Sequence, residues 1–453
     1  MLLEAGLIEG MIVVVQPRRI AARLLAEFVS RSLGGRLGEE VGYAVRFDTR
    51  YGRSTRIVYV TDGILQRWLR EDSDLSGIGA VMFDEFHERR LASDLAIARV
   101  LDLQDGGRPE LRVLVMSATL ETEGLGDYLA PCEELEAGGR LYPVEVSYQP
   151  PPAPRRGRHG AMESVPIWEQ AARACREEVA RLQGMERGTE TAPRILVFLP
   201  GAFEIRKTVE LLERGSWARE WEVKPLYSAL SPTAQWEAVG SGRRPRIIVA
   251  TNVAETSITI DGIVAVIDSG LARIAAFDAR RGIDTLTIQK ISQAAAQQRA
   301  GRAGRTGPGR CVRLWSEREQ ARREPFERPE VYRVDLAEAV LYLKAAGVTE
   351  IRSFRWLDAP HEESLDRAER LLGMLGAVDK DGLVTEVGLR MARYPLSPQA
   401  ARLLEAAEEE GCLAEACFVA AVLQGEGVFT RKATRAQHAA FQREGDRSDF
   451  EAE

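Results

Sequence analysis

The chain has 453 residues, 45% of them hydrophobic and 28% charged, with a net charge of -7. That is the profile of a folded protein of two to four domains whose surface is not basic throughout, which leaves room for a local basic groove. No apolar run is long enough for a membrane span, MLLEAGLIEG lacks a basic n-region, and five cysteines form no CxxC pair; no membrane span, secretory leader, disulfide framework or structural zinc is expected, and the reducing cytoplasm fits best.

In chain order, MIVVVQP reads as a buried strand ending at a proline, and RRIAARLLAEFVSRSLG as a helix closed by glycine. TRIVYVT is a second strand, DGILQRWLRED a helix, IGAVMFD a third strand, LASDLAIARVLDLQ a helix and LRVLVMSAT a fourth strand. Continuously apolar strands alternating with helices predict a parallel sheet covered on both faces. YQPPPAPRRGRHG reads as a linker or exposed loop. A helix over about 165–182 follows, and the pattern repeats through RILVFLP, KPLYSAL, PRIIVAT, GIVAVIDSG and RCVRLWS. From Val331 onward amphipathic helices take over, with AVDKDGLVTEVG among them as a small hairpin, and the last stretch is highly charged. The expected division is an α/β sheet domain over 1–148, a second over 149–320, a winged-helix-like segment over 321–388, and a helical bundle with a tail over 389–453.

Asp84 and Glu85 end the strand IGAVMF. A carboxylate at that end of a parallel strand faces the crevice where such sheets bind ligands. The first can hold Mg2+ and the second can activate a water, although an ordinary acidic turn reads the same way. Ser117 and Thr119, in SATLE, end the neighbouring strand as coupling groups or as a helix cap. QQRAGRAGRTGPGR carries Gln298, Gly301, Arg302, Gly304 and Arg305 as QxxGRxGR. On a helix Gln298, Arg302 and Arg305 share one face, and arginines there can neutralise transferring phosphoryl oxygens; the bland alternative is a basic surface helix. In ATNVAETSITIDG, Thr251, Asn252, Glu255, Thr256 and Ser257 offer small polar groups, or only turn formers. Arg18 and Arg19 open one helix and Thr61 and Asp62 another, with Asp62 expected as an N-cap.

Together PRRIAAR, TDGIL, DEFHER, SAT, TNVAETSITIDG and QQRAGRAGRTG, with FLPG and LYSALSPTAQ, resemble the DEAH-box helicases of superfamily 2, and DEFHER is most similar to the bacterial HrpB type. The resemblance implies two tandem RecA-like domains followed by a winged helix and a helical bundle, and an ATP-dependent enzyme that moves along RNA or single-stranded nucleic acid. It implies Asp84 and Glu85 at Mg2+, with His87 as the coupling residue. Gln298, Gly301, Arg302, Arg305, Thr256 and Asp261 would lie at ATP. Arg18, Arg19, Thr61, Asp62, Ser228, Thr251 and Asn252 would lie along the strand, and Ser117 and Thr119 would link hydrolysis to domain movement. A β-hairpin is implied between Gly270 and Ser292. One departure stands out: no G-x-x-x-x-G-K-[ST] phosphate loop occurs in the chain. The expectation is a chain that starts late, with a gap at the centre of its first sheet and impaired hydrolysis. Its rivals are a non-hydrolysing nucleic-acid-binding module and, more remotely, a metal-dependent nuclease built on Asp84, Glu85 and His87.

Overall fold

The apolar runs become parallel strands because each is buried on both faces. The structure, a computed structural model, describes residues 5–118, 124–138, 142–152, 155–156, 162–183, 192–215, 219–240, 242, 244–255, 260–278 and 282–424. The first sheet contains β1 (Met11–Gln16), β2 (Val41–Val45), β3 (Asp48–Arg50), β4 (Ile57–Thr61), β5 (Ile78–Phe83) and β6 (Arg112–Val115), in the order β3-β2-β4-β1-β5-β6. All its pairs are parallel except β2 with β3. Helices α1 (Arg19–Ser32), α2 (Asp62–Glu71), α3 (Leu91–Gly106) and the short α4 (Leu125–Leu129) accompany it. The expected central gap is absent: β1 pairs with β4 on one side and β5 on the other, so the middle of the sheet is continuous.

The second lobe holds β7 (Val144–Tyr148), the short pair β8 (Arg155–Arg156) and β9 (Met162–Glu163), α5 (Ile167–Gln183), β10 (Arg194–Phe198), α6 (Ala202–Glu213) and β11 (Glu222–Leu226). It continues through α7 (Pro232–Val239), β12 (Arg246–Ala250), β13 (Ile263–Asp268), β14 (Leu271–Asp278), β15 (Ile283–Lys290), α8 (Gln293–Gly301), β16 (Gly309–Arg313) and α9 (Glu317–Gln320). Six of its strands form a parallel sheet in the order β11-β12-β10-β13-β16-β7. These are two RecA-like lobes. The boundary expected after 148 falls earlier, because β7 pairs in register with β16, Val144 opposite Gly309. β14 and β15 make the expected hairpin, with Leu271 opposite Lys290 and Asp278 opposite Ile283.

The chain divides into two units, Met1–Arg333 and Val334–Glu453. The division expected at 320 is displaced because the following residues are fastened to the sheets. Arg323 Nη1 donates to the carbonyls of Gly270 (2.9 Å) and Ile291 (2.8 Å), and Arg333 Nη1 to that of Ala275 (2.7 Å). The second unit contains α10 (Ala337–Ala345), α11 (Glu362–Met374), α12 (Glu386–Met391), α13 (Pro398–Glu410) and α14 (Leu413–Gln424). An antiparallel bridge between Val378 and Val384 turns at Gly382, whose φ of 78° is left-handed, so the winged-helix hairpin lies where the sequence put it. A boundary at 388 would cut α12 in two.

Candidate active site

β1 and β5 are neighbours, with Val15 opposite Phe83, so Gln16 and Asp84 leave the sheet side by side. Gln16 Nε2 donates to Asp84 Oδ2 at 2.5 Å, and the Glu85 backbone N–H donates to Oδ1 at 2.9 Å. Both carboxylate oxygens are thereby oriented while lone pairs remain for a hard cation. Mg2+ is commonly held by one or two carboxylates, with water and substrate phosphates completing its shell. Asp84 suits that role; among the described residues no cluster of three or more His, Cys, Asp or Glu offers a closed cage.

Glu85 (φ 53°) and Arg89 (φ 46°) are left-handed and bracket the single 3-10 turn Phe86–Glu88. Non-glycine residues in that region cost about 1–2 kcal/mol each, strain that concentrates at functional turns. The turn is fastened from below. Phe86 is buried, its N–H donates to the Met116 carbonyl at 3.1 Å, and the Met116 N–H donates to Phe83 at 2.8 Å. The backbone that carries Ser117 is thus tied to the turn. Burial, then the Asp84 and Glu88 charges, raise the Glu85 carboxyl to about 7 against the pull of Arg302 and Arg18. Asp84 also acts on Tyr59, whose hydroxyl is pushed up to about 12, mainly by burial.

His87 joins the two lobes. Its Nδ1 accepts from the Ala118 N–H at 3.3 Å, and its Nε2 lies 2.8 Å from the Gln298 side-chain amide. With Nδ1 an acceptor, the neutral ring carries its proton on Nε2, and the Gln298 amide oriented with its oxygen inward accepts it. Burial lowers the His87 pKa, which favours that neutral ring.

α8 is capped by Ser292, whose hydroxyl accepts from the Ala295 N–H, and ends at Gly301. Arg302 continues in a 3-10 turn and Arg305 follows it, so the three expected side chains do not share one continuous helix face. Arg302 is 3% exposed and donates from Nε to the Glu255 carbonyl at 2.7 Å. Burial and the neighbouring Arg305 hold it down to about 9, against the attraction of Glu85 and Glu255. Arg305 is exposed and also feels Glu85. Gly304 is required for packing, because a Cβ there would approach the Tyr142 carbonyl to 2.6 Å; a Cβ on Gly301 would meet only open space.

Arg299, which the sequence reading passed over, is 1% exposed. Its Nε lies 2.8 Å from Glu255 Oε2 and its Nη1 2.9 Å from Asp268 Oδ1, and its guanidinium lies 4.8 Å from the Phe198 ring centroid. Gln16, Glu88, Asp268 and Glu330 were missed as well. Gln16 and Asp268 each end an apolar strand as Asp84 does, so the rule that found Asp84 could have found them.

The residues expected along the strand are divided. Arg19 and Ser228 are exposed, as is Asp261, expected at the nucleotide. Arg18 is engaged inside the protein: Nη2 meets Glu88 Oε1 at 2.9 Å and Nη1 donates to the Asn252 carbonyl, which crosses from one lobe to the other. Asp62 is not the N-cap. Thr61 holds that position without a side-chain cap, and the buried Asp62 accepts from Ser93 Oγ at 2.7 Å with Arg90 Nη1 3.6 Å away. Thr251 Oγ1 accepts from the Val253 N–H and starts the turn that carries Asn252. Thr119 and Thr256 lie outside the described residues. A further tie to the first lobe is made by Glu330, whose N–H donates to the Arg89 carbonyl and whose Oε2 accepts from the Leu91 N–H, both at 3.0 Å.

The family described as Helicase conserved C-terminal domain matches residues 177–307, and Helicase associated domain (HA2), winged-helix, matches 368–396. The pre-mRNA-splicing factor ATP-dependent RNA helicase prp22 of Schizosaccharomyces pombe is 38% identical over 444 residues, 96% of this chain and 36% of that protein. The ATP-dependent RNA helicase HrpB of Escherichia coli is 37% identical over 420 residues, 92% of this chain and 49% of that protein. Two crystal structures of E. coli HrpB superpose with TM-scores of 0.82 and 0.77, each at 36% identity over 93% of this chain and 52% and 50% of theirs. The chain thus spans 49% of the length of HrpB and 36% of that of prp22. Over more than nine-tenths of its length it is homologous to the bacterial HrpB DEAH-box helicases.

Proposed function

We propose that this sequence forms the two-lobed motor of an ATP-dependent helicase acting on RNA or single-stranded nucleic acid. The observation that carries the proposal is the meeting of two walls. Asp84, Glu85 and His87 come from one lobe, Gln298, Arg302 and Arg305 from the other, and His87 and Gln298 touch at 2.8 Å. Asp84 would hold Mg2+, which, when bound, offsets charge on the β- and γ-phosphates. Glu85 is suited to take the proton of the attacking water, since its pKa of about 7 leaves it basic near neutrality. Arg302 and Arg305 are suited to the phosphoryl oxygens, where charge grows as the bond breaks. Burial and Arg305 hold the Arg302 guanidinium below its usual range, and an anion brought there would act in the opposite direction. Loss of the γ-phosphate would release the arginine wall from the carboxylate wall and open the lobes, with Ser117 and Thr119 carrying the change onward. Arg19, Ser228, Thr251 and Asn252 would grip the strand backbone, so sequence preference should be weak and binding salt-sensitive. In the described state Arg18 holds Glu88 and Asn252, and it would reach the strand only by exchanging those partners.

The test is ATP hydrolysis with and without RNA in a chimera that places a G-x-x-x-x-G-K-T strand, loop and helix ahead of residue 1. RNA should stimulate turnover, and Arg302→Ala should lower it by about a thousandfold or more. A folded chimera without turnover would sink the reading. For the 453 residues alone a second reading has its own support, the lack of that phosphate-loop motif. They should bind RNA without appreciable hydrolysis.

A further inference from the structure

Gln16 is wholly buried, yet no measure of apolar packing calls for an amide there. It ends the central strand of the first sheet, after five apolar residues, and it is 0% exposed. Its Nε2 holds Asp84 Oδ2 at 2.5 Å. Its Oε1, on the same amide, is buried and has no hydrogen-bond partner among the described residues. A buried acceptor without a donor is costly, because it gives up its hydrogen bonds to water and gains none in return. A hydrated divalent cation at Asp84 would supply the missing donor, since its waters can donate to an amide oxygen.

We propose that Gln16 is the positioning residue of the divalent-cation site. Its N–H fixes the Asp84 carboxylate from one side while the Glu85 N–H fixes it from the other. Its Oε1 is the acceptor reserved for the ion's hydration shell. The inference rests on reading Asp84 as the cation's ligand, and it assigns to the QPRR segment a task separate from gripping a strand. Residues that orient a metal ligand typically govern affinity by ten- to a hundredfold.

The experiment is Mn2+ titration of the 453-residue chain with ADP present, followed by electron paramagnetic resonance of the free ion. Thermal melting and single-stranded RNA binding without nucleotide are measured in parallel. Gln16→Met, which keeps the volume, should weaken Mn2+ binding about tenfold or more while RNA affinity stays within twofold. Gln16→Asn keeps both polar atoms but withdraws them by one methylene, and it should lose affinity in the same direction even if the Met variant folds poorly. Asp84→Asn should abolish the site. Unchanged Mn2+ affinity in a folded Gln16 variant overturns this inference alone. Equal binding by the native chain and Asp84→Asn, or no binding by either, overturns the Asp84 reading and this inference with it.

Discussion

Two buried arginines of the Gln298–Arg305 segment lie in different electrostatic surroundings. Arg299 and Arg302 are one helical turn apart and almost equally buried, at 1% and 3% exposure. Arg299 is clasped by Glu255 and Asp268, whose charges hold its pKa above the usual arginine value against burial. Arg302 has a carbonyl at 2.7 Å, the like charge of Arg305 beside it, and a pKa held down to about 9. One guanidinium is a rivet between the second sheet and the Glu255 loop. The other is kept charged at a cost that an arriving anion would remove. Burial alone does not set the state of a guanidinium; the charges around it do.

The largest effect should come from the rivet. Arg299→Met takes from the buried Glu255 and Asp268 the guanidinium they share, and breaking a buried pair from one side costs about 3–5 kcal/mol. Urea unfolding should show that loss. Arg302→Met removes a guanidinium whose charged form burial and Arg305 disfavour, so it should cost less stability than Arg299→Met, on the order of 1 kcal/mol. Equal losses from the two substitutions would erase the distinction between them.

The facing wall supplies the next effect. Glu85 has a folded pKa of about 7 against an ordinary 4.5. The folded state therefore holds this proton more tightly than the unfolded state. Its contribution to stability is fully present below pH 4.5, is lost as pH rises through the window to 7, and leaves on the order of 3 kcal/mol absent above it. In the presence of a chelator, Glu85→Gln should flatten that stretch of the stability profile and be more stable than the native chain at pH 8. An unaltered slope would mean that Glu85 is more solvated than its surroundings indicate.

Much of this was legible in the sequence, for a physical reason. Apolar strand runs, the acids after Phe83, and the glycine-broken QxxGRxGR are local signals, and each reports its own burial or backbone need. What the sequence hid is pairing over distance. Arg299 finds Asp268 and Glu255 only because α8 packs against β13, and Gln16 finds Asp84 only because β1 and β5 are neighbours in register. The expected central gap failed for the same reason: strand order is set by which faces must be covered, and β1 satisfies both neighbours. Asp62 was misread because Thr61 and Asp62 are equally good caps by type, and the choice fell to Ser93 and Arg90 on a later helix.

The smallest effect distinguishes a charge that compensates another charge from one that caps a helix. Glu330 reaches α3 from the far end of the first unit, accepting from the Leu91 N–H while its own N–H holds the Arg89 carbonyl. Arg90, the N-cap residue of α3, provides no side-chain cap, so Glu330 supplies the missing acceptor. The same turn carries Arg333, whose carbonyl accepts from the Phe277 N–H at 2.6 Å, so the segment braces the β14–β15 hairpin against the start of α3. Glu330→Ala removes the side-chain cap but keeps the backbone contact, and a lost cap costs about 1 kcal/mol. Global stability should fall by that amount, and hydrogen exchange at Leu91 and the first turn of α3 should quicken by about fivefold, while the core of the second sheet exchanges as before. Glu330→Gln retains an acceptor oxygen and should recover most of the protection. If Gln behaves like Ala, the carboxylate acts through its charge on Arg90 rather than as a cap, and Glu330 would then belong with Glu255 and Asp268 as a compensating acid.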